Sequence, residues 1–308
     1  TGVAADPVSG LHLGQLPEHD PLGCLLGHLA ADAVGGRLVG VQARARHALE
    51  DLLVSDGLMA RSVRDCAWAF AATHPDSPPV VTGASTRRLR VAVDTRNLAG
   101  DAAHPDVAQA VASAAALCAG LGHRVDIVAS PVSGQDARDA LLTLWSRLCV
   151  DAVELNTAAG LADDLLEPWT RGLAQWHLDH ADIAALEHAY RQLARLPDDF
   201  AHFHAQWDVL LTPVVRTPPP LLGVLAPDRA FDALMPALFD WMSYTPLQNL
   251  AGTPAISLPL SWNADGLPVG VQFAADRGQE AALLSLAFEL EAAQPWRDRW
   301  PDVPVAAR

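Results

Sequence analysis

An α/β fold is predicted from three observations. A strand, a helix and a second strand succeed one another between residues 89 and 128. Helix-period segments run from 135 to 205, and two apolar strands flank a polar turn in the last third. With 308 residues, half of them hydrophobic, the chain can bury a sizeable core as one large α/β domain or two smaller ones.

Residues 1 to about 52 hold no sustained period of 3.6 or 2, and no element is predicted there. At Ser62 the pattern changes. Ser62 can cap a helix, and Asp65, three residues on, can answer it and favour the N-terminal dipole. The predicted helix covers about 63–73, and Pro75, Pro78 and Pro79 end it. Leu89–Val93 reads as a strand. A helix from Pro105 carries Val107, Val111, Ala114, Cys118 and Leu121 at alternating steps of four and three, Gly120 and Gly122 stop it, and Val125–Val128 is a second strand. The turn between strand and helix lacks G-x-G-x-x-G, so this βαβ unit is a structural crossover rather than a dinucleotide site.

From 135 to 205, leucine and alanine alternate with charges and tryptophans in several amphipathic helices. Asp208–Pro213 is a short buried strand, followed by a Pro-rich loop through Pro220. Ala255–Leu260 and Val269–Phe273 form a hairpin over Asn263-Ala264-Asp265-Gly266, and a helix from about Gln279 to Glu291 closes the chain.

The net charge of −15 opposes phosphate backbones and anionic lipid, which excludes nucleic acid as an expected partner. No apolar run approaches the roughly 18 residues of a membrane span, and Thr1–Asp6 lacks the basic flank of a signal peptide, so a cytoplasmic protein off the membrane is expected. Thr1 stands where a methionine would, and a fragment is expected. Cys24, Cys66, Cys118 and Cys149 are far apart in apolar surroundings and read as buried thiols, not metal ligands. His177 and His180, with His188, His202 and His204 beyond, lack the spacing and glutamate of H-E-x-x-H, so no metal is expected.

Four separated blocks carry a resemblance. They are Asp56-Gly57-Leu58-Met59-Ala60-Arg61-Ser62-Val63-Arg64-Asp65, Leu117–Val125, Trp207-Asp208-Val209-Leu210-Leu211-Thr212-Pro213, and Tyr244–Leu260 running on through Asp265–Phe273 to Gln294–Arg299. In that order they resemble the amidase-signature hydrolases, whose first block reads D-G-P-M-A-R-T-V-R-D. The closing stretch is most similar to the 6-aminohexanoate-cyclic-dimer hydrolase type, notably in Ser257-Leu258-Pro259-Leu260 and Phe273–Asp276. The resemblance implies the amidase-signature fold, a mixed sheet covered by helices, with no cofactor and no metal. It implies a small-molecule amide as partner and leaves a homodimer open. It also implies acyl transfer, in which a serine attacks the amide carbonyl and a lysine works through a bridging serine as base and then acid.

The chain contains no lysine. All 21 basic residues are arginine, which stays protonated and cannot shuttle the proton. In the family the nucleophile and lysine lie upstream of the Met59-Ala60-Arg61 block, and here that ground holds one serine, Ser9, with no Gly/Ser-rich signature. The N-terminal catalytic part is therefore missing or altered, and no catalytic residue is assigned. Back-translated and read one nucleotide later, Arg37–Arg46 permits Gly-Leu-Leu-Gly-Phe-Lys-Pro-Ala-Arg-Gly, similar to the family's G-L-x-G-F-K-P-x-R-G. The expectation is that residues 1–54 are an irregular, out-of-frame segment and that 55–308 form the C-terminal part of one amidase-signature domain. A divergent but real segment is the alternative.

The resemblance also brings Tyr244, Thr245 and Asn249 toward a substrate, with Trp241 and Met242 as an apolar wall; ordinary core packing is the competing reading for each. Arg61 and Asp65 fit an i, i+4 ion pair at a helix start. Three functional readings stand: an amide hydrolase fragment inactive alone, an amidase-like binding protein that keeps the cleft, and a hydrolase pairing a serine or cysteine with a histidine.

Overall fold

The computed structural model describes Leu53 and residues 57–132 and 134–299; the irregular segment at 1–52, Cys24 and the proposed frame junction lie outside them. Helix α1 (Val63–Thr73) starts where its cap predicts, Ser62 Oγ accepting the Asp65 N–H at 3.1 Å. The Asp65 carboxylate turns to a neighbouring arginine, and another acid meets the helix start. Asp65 pairs with Arg64 at 2.8 Å, while the Val63 N–H is met by the Glu291 carboxylate at 3.3 Å. A tertiary contact thus satisfies the helix's first N–H, a different group from the Ser62 N–H that a capping box would have reached.

Strand β1 (Arg90–Val93), helix α2 (Pro105–Gly120) and strand β2 (Arg124–Ile127) form the predicted crossover. Pro105 opens α2, the His104 ring accepts the Asp106 N–H at 3.2 Å, and Gly122 (φ 91°) takes the left-handed turn that leads into β2. The amphipathic region resolves into α3 (Gln135–Ala158), α4 (Pro168–His180) and α5 (Ile183–His204). After β3 (Val209–Pro213) come two helices that the periodicity did not predict, α6 (Phe231–Trp241) and α7 (Pro246–Ala251). Strands β4 (Ala255–Trp262) and β5 (Pro268–Ala274) make the hairpin, and α8 (Glu280–Ala293) ends it. At the hairpin turn Asn263 Oδ1 accepts the N–H groups of Asp265 and Leu267, with Gly266 at φ 76°.

The sheet is mixed, in the order β2-β1-β3-β5-β4. Strand β1 runs parallel to β2 and β3, and the β4–β5 hairpin is antiparallel to β3. Side-chain alternation sorts its residues onto two cores. Val91, Val93, Val209, Leu211, Ile256, Leu258, Val271 and Phe273 pack against α1, α2 and α8. Ala92, Leu210, Ala255 and Ala274 face α3–α7, where the three alanines admit the helices around an aromatic cluster of Trp145, Trp169 and Phe239. Phe231 joins the cluster over Gly172, where a Cβ would come within 2.5 Å of the ring.

Two polar anchors tie the layers. The Asp208 carboxylate accepts the Arg90 N–H at 2.7 Å and binds the guanidinium groups of Arg90 and Arg87 at 3.1 and 2.6 Å, aligning the starts of β1 and β3. Burial pushes its pKa up, but Arg90 outweighs this and holds it below the usual carboxylate range. Buried His123 accepts the Leu89 N–H at 3.0 Å and meets Glu289 of α8 at 3.1 Å. Cys66, Cys118 and Cys149 are buried and form no disulfide among the described residues; burial pushes the Cys66 thiol up to about 11 and Cys118 to about 12.

Candidate active-site cleft

The cleft is built around α7. Pro246 begins this helix, and Gly252 ends it in the left-handed conformation (φ 65°, ψ 34°) that a glycine adopts without strain. Arg277, just past β5, donates to the carbonyls of Ala251 at 2.6 Å and Gly252 at 3.2 Å, meeting the negative end of the helix. Inside the turn, Thr253 Oγ1 donates to Gln248 Oε1 at 2.5 Å, and the chain enters β4.

Two recesses adjoin here, sharing Leu141 and Met242 as walls. One, of about 210 Å³, is polar, with Asn97, Asp101, Arg138, Asp240 and Ser243 in its lining. The other, of about 30 Å³, is mostly apolar, lined by Trp145, Leu148, Leu250 and Asn249 among others. Asn249 donates from Nδ2 to the Leu53 carbonyl at 3.1 Å.

Of the predicted cleft residues, Asn249 and Met242 therefore reach a recess. Trp241, Tyr244 and Thr245 are buried behind them, outside both linings. The Tyr244 hydroxyl donates to the Thr95 carbonyl at 2.7 Å, and burial pushes its pKa well above the usual phenol value, so it stays protonated. The indole N–H of Trp241 is buried with no hydrogen-bond partner. Leu141 and Trp145 come from α3, 100 residues upstream in the sequence; only tertiary packing brings them here, and no local pattern announces it.

A second polar feature crosses the sheet. Thr212, Gln272 and Ser257 lie in register on β3, β5 and β4, and Asp94 follows β1 beside Thr212, its N–H bonded to the Leu211 carbonyl at 3.1 Å. All four are buried on the face opposite Leu211, Phe273 and Ile256. Gln272 Nε2 donates to Thr212 Oγ1 at 3.3 Å, and Asp94 accepts the N–H groups of Arg96 and Ser130 at 3.0 and 2.7 Å. Strict period-two alternation in Leu211-Thr212 and Val271-Gln272-Phe273 would have located this row.

The histidines serve the structure instead. Ser146 Oγ lies 2.8 Å from His177 Nδ1, the arrangement a serine–histidine hydrolase would use, but Ser146 is fully buried in α3 and its oxygen is 3.0 Å from the Thr143 carbonyl. No substrate reaches it. Both ring nitrogens of His123 are engaged by Leu89 and Glu289, with no hydroxyl between. His180, His188 and His202 are exposed on α4 and α5, and no group of three or more metal-ligating side chains converges among the described residues.

Burial lowers the pKa of His177 and of His204, whose Nδ1 donates to the Trp207 carbonyl at 3.0 Å while Nε2 is buried without a partner. Each ring takes a proton more readily unfolded than folded. Stability is accordingly complete above about pH 6.5, the unfolded value, and falls as pH drops through it toward the lowered folded values. Thermal unfolding at pH 7.5 and 5.5 checks this; His204→Gln is expected to lose less on acidification than the parent.

Comparisons place these features in a family. The model of the Amidase family matches residues 38–284. A Mycobacterium leprae protein described as "Putative amidase AmiC" is 41% identical over 256 residues, covering 79% of this chain and 53% of that protein. A 6-aminohexanoate-cyclic-dimer hydrolase of Paenarthrobacter ureafaciens is 30% identical over 276 residues, covering 80% and 55%. The chain spans about half the length of the relatives it matches. In structure, a 6-aminohexanoate cyclic dimer hydrolase complexed with substrate superposes with a TM-score of 0.72 at 27% identity, over 89% of this chain and 64% of that one. The mixed sheet, its two helical layers and a match over most of the sequence lead to one conclusion: the chain belongs to the amidase family.

Proposed function

We propose that this chain is the cleft-bearing C-terminal part of a cytoplasmic amide hydrolase that transfers the acyl group to water by serine–serine–lysine chemistry, and that it is inactive alone. The observation that carries the proposal is family membership joined to a sequence without lysine. General-base catalysis of this kind contributes about 10²–10⁴-fold, and it needs a group that releases its proton near neutral pH. Arginine does not. Within this reading Asn249 and Met242 face the amide while Trp241, Tyr244 and Thr245 stiffen the wall behind them, and residues 1–54 stand where the signature region belongs.

The test compares the purified chain with a frame-corrected, N-terminally extended version on simple amides and on linear and cyclic 6-aminohexanoate dimers. The chain is expected to give no hydrolysis above the blank, and the extended version to turn over. Turnover by the 308 residues that disappears when one serine becomes alanine overturns the inactivity. Amide binding without turnover in both versions favours a binding protein. Sequencing the gene decides the frame, since coding DNA lacking the shifted codons rules out an out-of-frame segment.

A further inference from the structure

The polar recess of the cleft holds two opposite charges that the fold leaves uncompensated. Arg138, in the first turns of α3, lines it partly buried, and among the described residues its guanidinium has no ion-pair partner. The adjacent acid does not serve it, because Asp139 accepts the Gln135 side chain at 2.7 Å instead. Nor does the helix, whose N-terminal end disfavours a cation. Asp101 lines the same recess with the other sign. Its N–H donates to Asn97 Oδ1 at 2.7 Å and its carboxylate accepts Asn97 Nδ2 at 3.3 Å, two bonds to a neutral group. Arg216, close enough to feel both Asp101 and Asp240, is bonded to Asp240 and to the Ala102 carbonyl. One cation and one anion therefore remain.

Charge complementarity selects the occupant. A ligand bearing only a carboxylate meets Arg138 but faces Asp101, one bearing only an ammonium meets the converse, and a neutral ligand answers neither. A head with both charges satisfies both residues through charge-assisted hydrogen bonds, the carboxylate on the fork of the guanidinium. Its zero net charge also escapes repulsion by a chain of net charge −15. At about 210 Å³ the recess has room for such a head, and it shares Leu141 and Met242 with the apolar recess where Asn249 stands, so one molecule can reach both. We infer that the recess binds the zwitterionic end of a free amino acid, carboxylate on Arg138 and ammonium on Asp101, and that the cleft takes amides carried on an amino-acid side chain; this names a substrate class for the site proposed above and rests on that reading.

Calorimetric titration of the full chain with three probes of one length tests this. Nε-hexanoyl-lysine carries both charges, N-hexanoyl-6-aminohexanoate lacks the ammonium, and N-hexanoyl-1,5-diaminopentane lacks the carboxylate. The first is expected to bind about tenfold or more tightly than either of the others. Arg138→Gln should erase its advantage over the diaminopentane derivative alone, Asp101→Asn its advantage over the aminohexanoate derivative alone, and Arg138→Lys should keep most of both. Unchanged thermal unfolding of the variants checks that they fold. No binding of any probe, equal binding of all three, or preferences indifferent to these substitutions would each overturn the inference. Hydrolysis by the N-terminally extended version reads the other question: the charge preference without turnover keeps the recess and overturns the amide-hydrolase reading, and turnover without the preference does the reverse.

Discussion

Alanine in place of Trp169 is expected to cost about 3–5 kcal/mol of stability, the range of a large aromatic removed from a packed core. The side chain is fully buried, with its ring centroid 5.6 Å from Trp145 and 5.5 Å from Phe231. It joins α4 to α3 and to α6, which leads into the cleft segment. Its indole N–H has no hydrogen-bond partner. The loss is therefore one of dispersion and buried area, and no polar group is orphaned by the change. Nor can the site close easily, because Phe231 already sits on the backbone at Gly172. Urea unfolding should give a lower midpoint with an unchanged slope. A loss under about 1 kcal/mol would mean that the helical layer repacks freely, contrary to this account.

Asp208→Ala is expected to cost about 2–3 kcal/mol, as charge-assisted hydrogen bonds are lost and the Arg90 N–H is stripped of its acceptor. The carboxylate is 12% exposed, whereas its arginine partners are half in solvent or more nearly so, at 41% and 60%. Removing Arg87 alone should thus do little. Because the Asp208 pKa is held down in the fold, its contribution is present above the ordinary carboxylate value near 4 and disappears as pH falls through the folded value. The difference between parent and Asp208→Ala should therefore shrink between pH 5 and pH 2. A difference that stays constant across that range would refute the ion-paired role.

The sequence made the sheet legible wherever local signals were complete. Ser62, Pro105 and the glycines Gly120 and Gly122 at the end of α2 set boundaries within a residue or two, and the apolar runs at 209–213 and 255–260, bounded by turn residues, read as buried strands. Helices α6 and α7 escaped notice for a physical reason. Pro236 interrupts the first, and the second is six residues long, shorter than any period can reveal; tertiary packing and the Arg277 clamp sustain it. Asn249 and Met242 line a recess while Trp241, Tyr244 and Thr245 are buried in the packing, and the sequence left both readings open for each of them, since burial depends on α3 arriving from far upstream. Period-two alternation marks each member of the polar row on its own strand, but setting Thr212, Gln272 and Ser257 side by side needs register, which a single strand does not encode.

The parallel pairing of β1 with β3 has a consequence for synthesis. Val91 finds Val209 only after 118 further residues have left the ribosome, whereas β2 is available at once. At ~5–20 residues per second, this is a wait of roughly 6–24 s. Through that interval the nascent crossover unit presents an unsatisfied strand to solvent, and three helices must assemble before it is shielded. Yield in a cell should consequently depend on chaperone supply and translation speed more than on the equilibrium stability of the finished molecule.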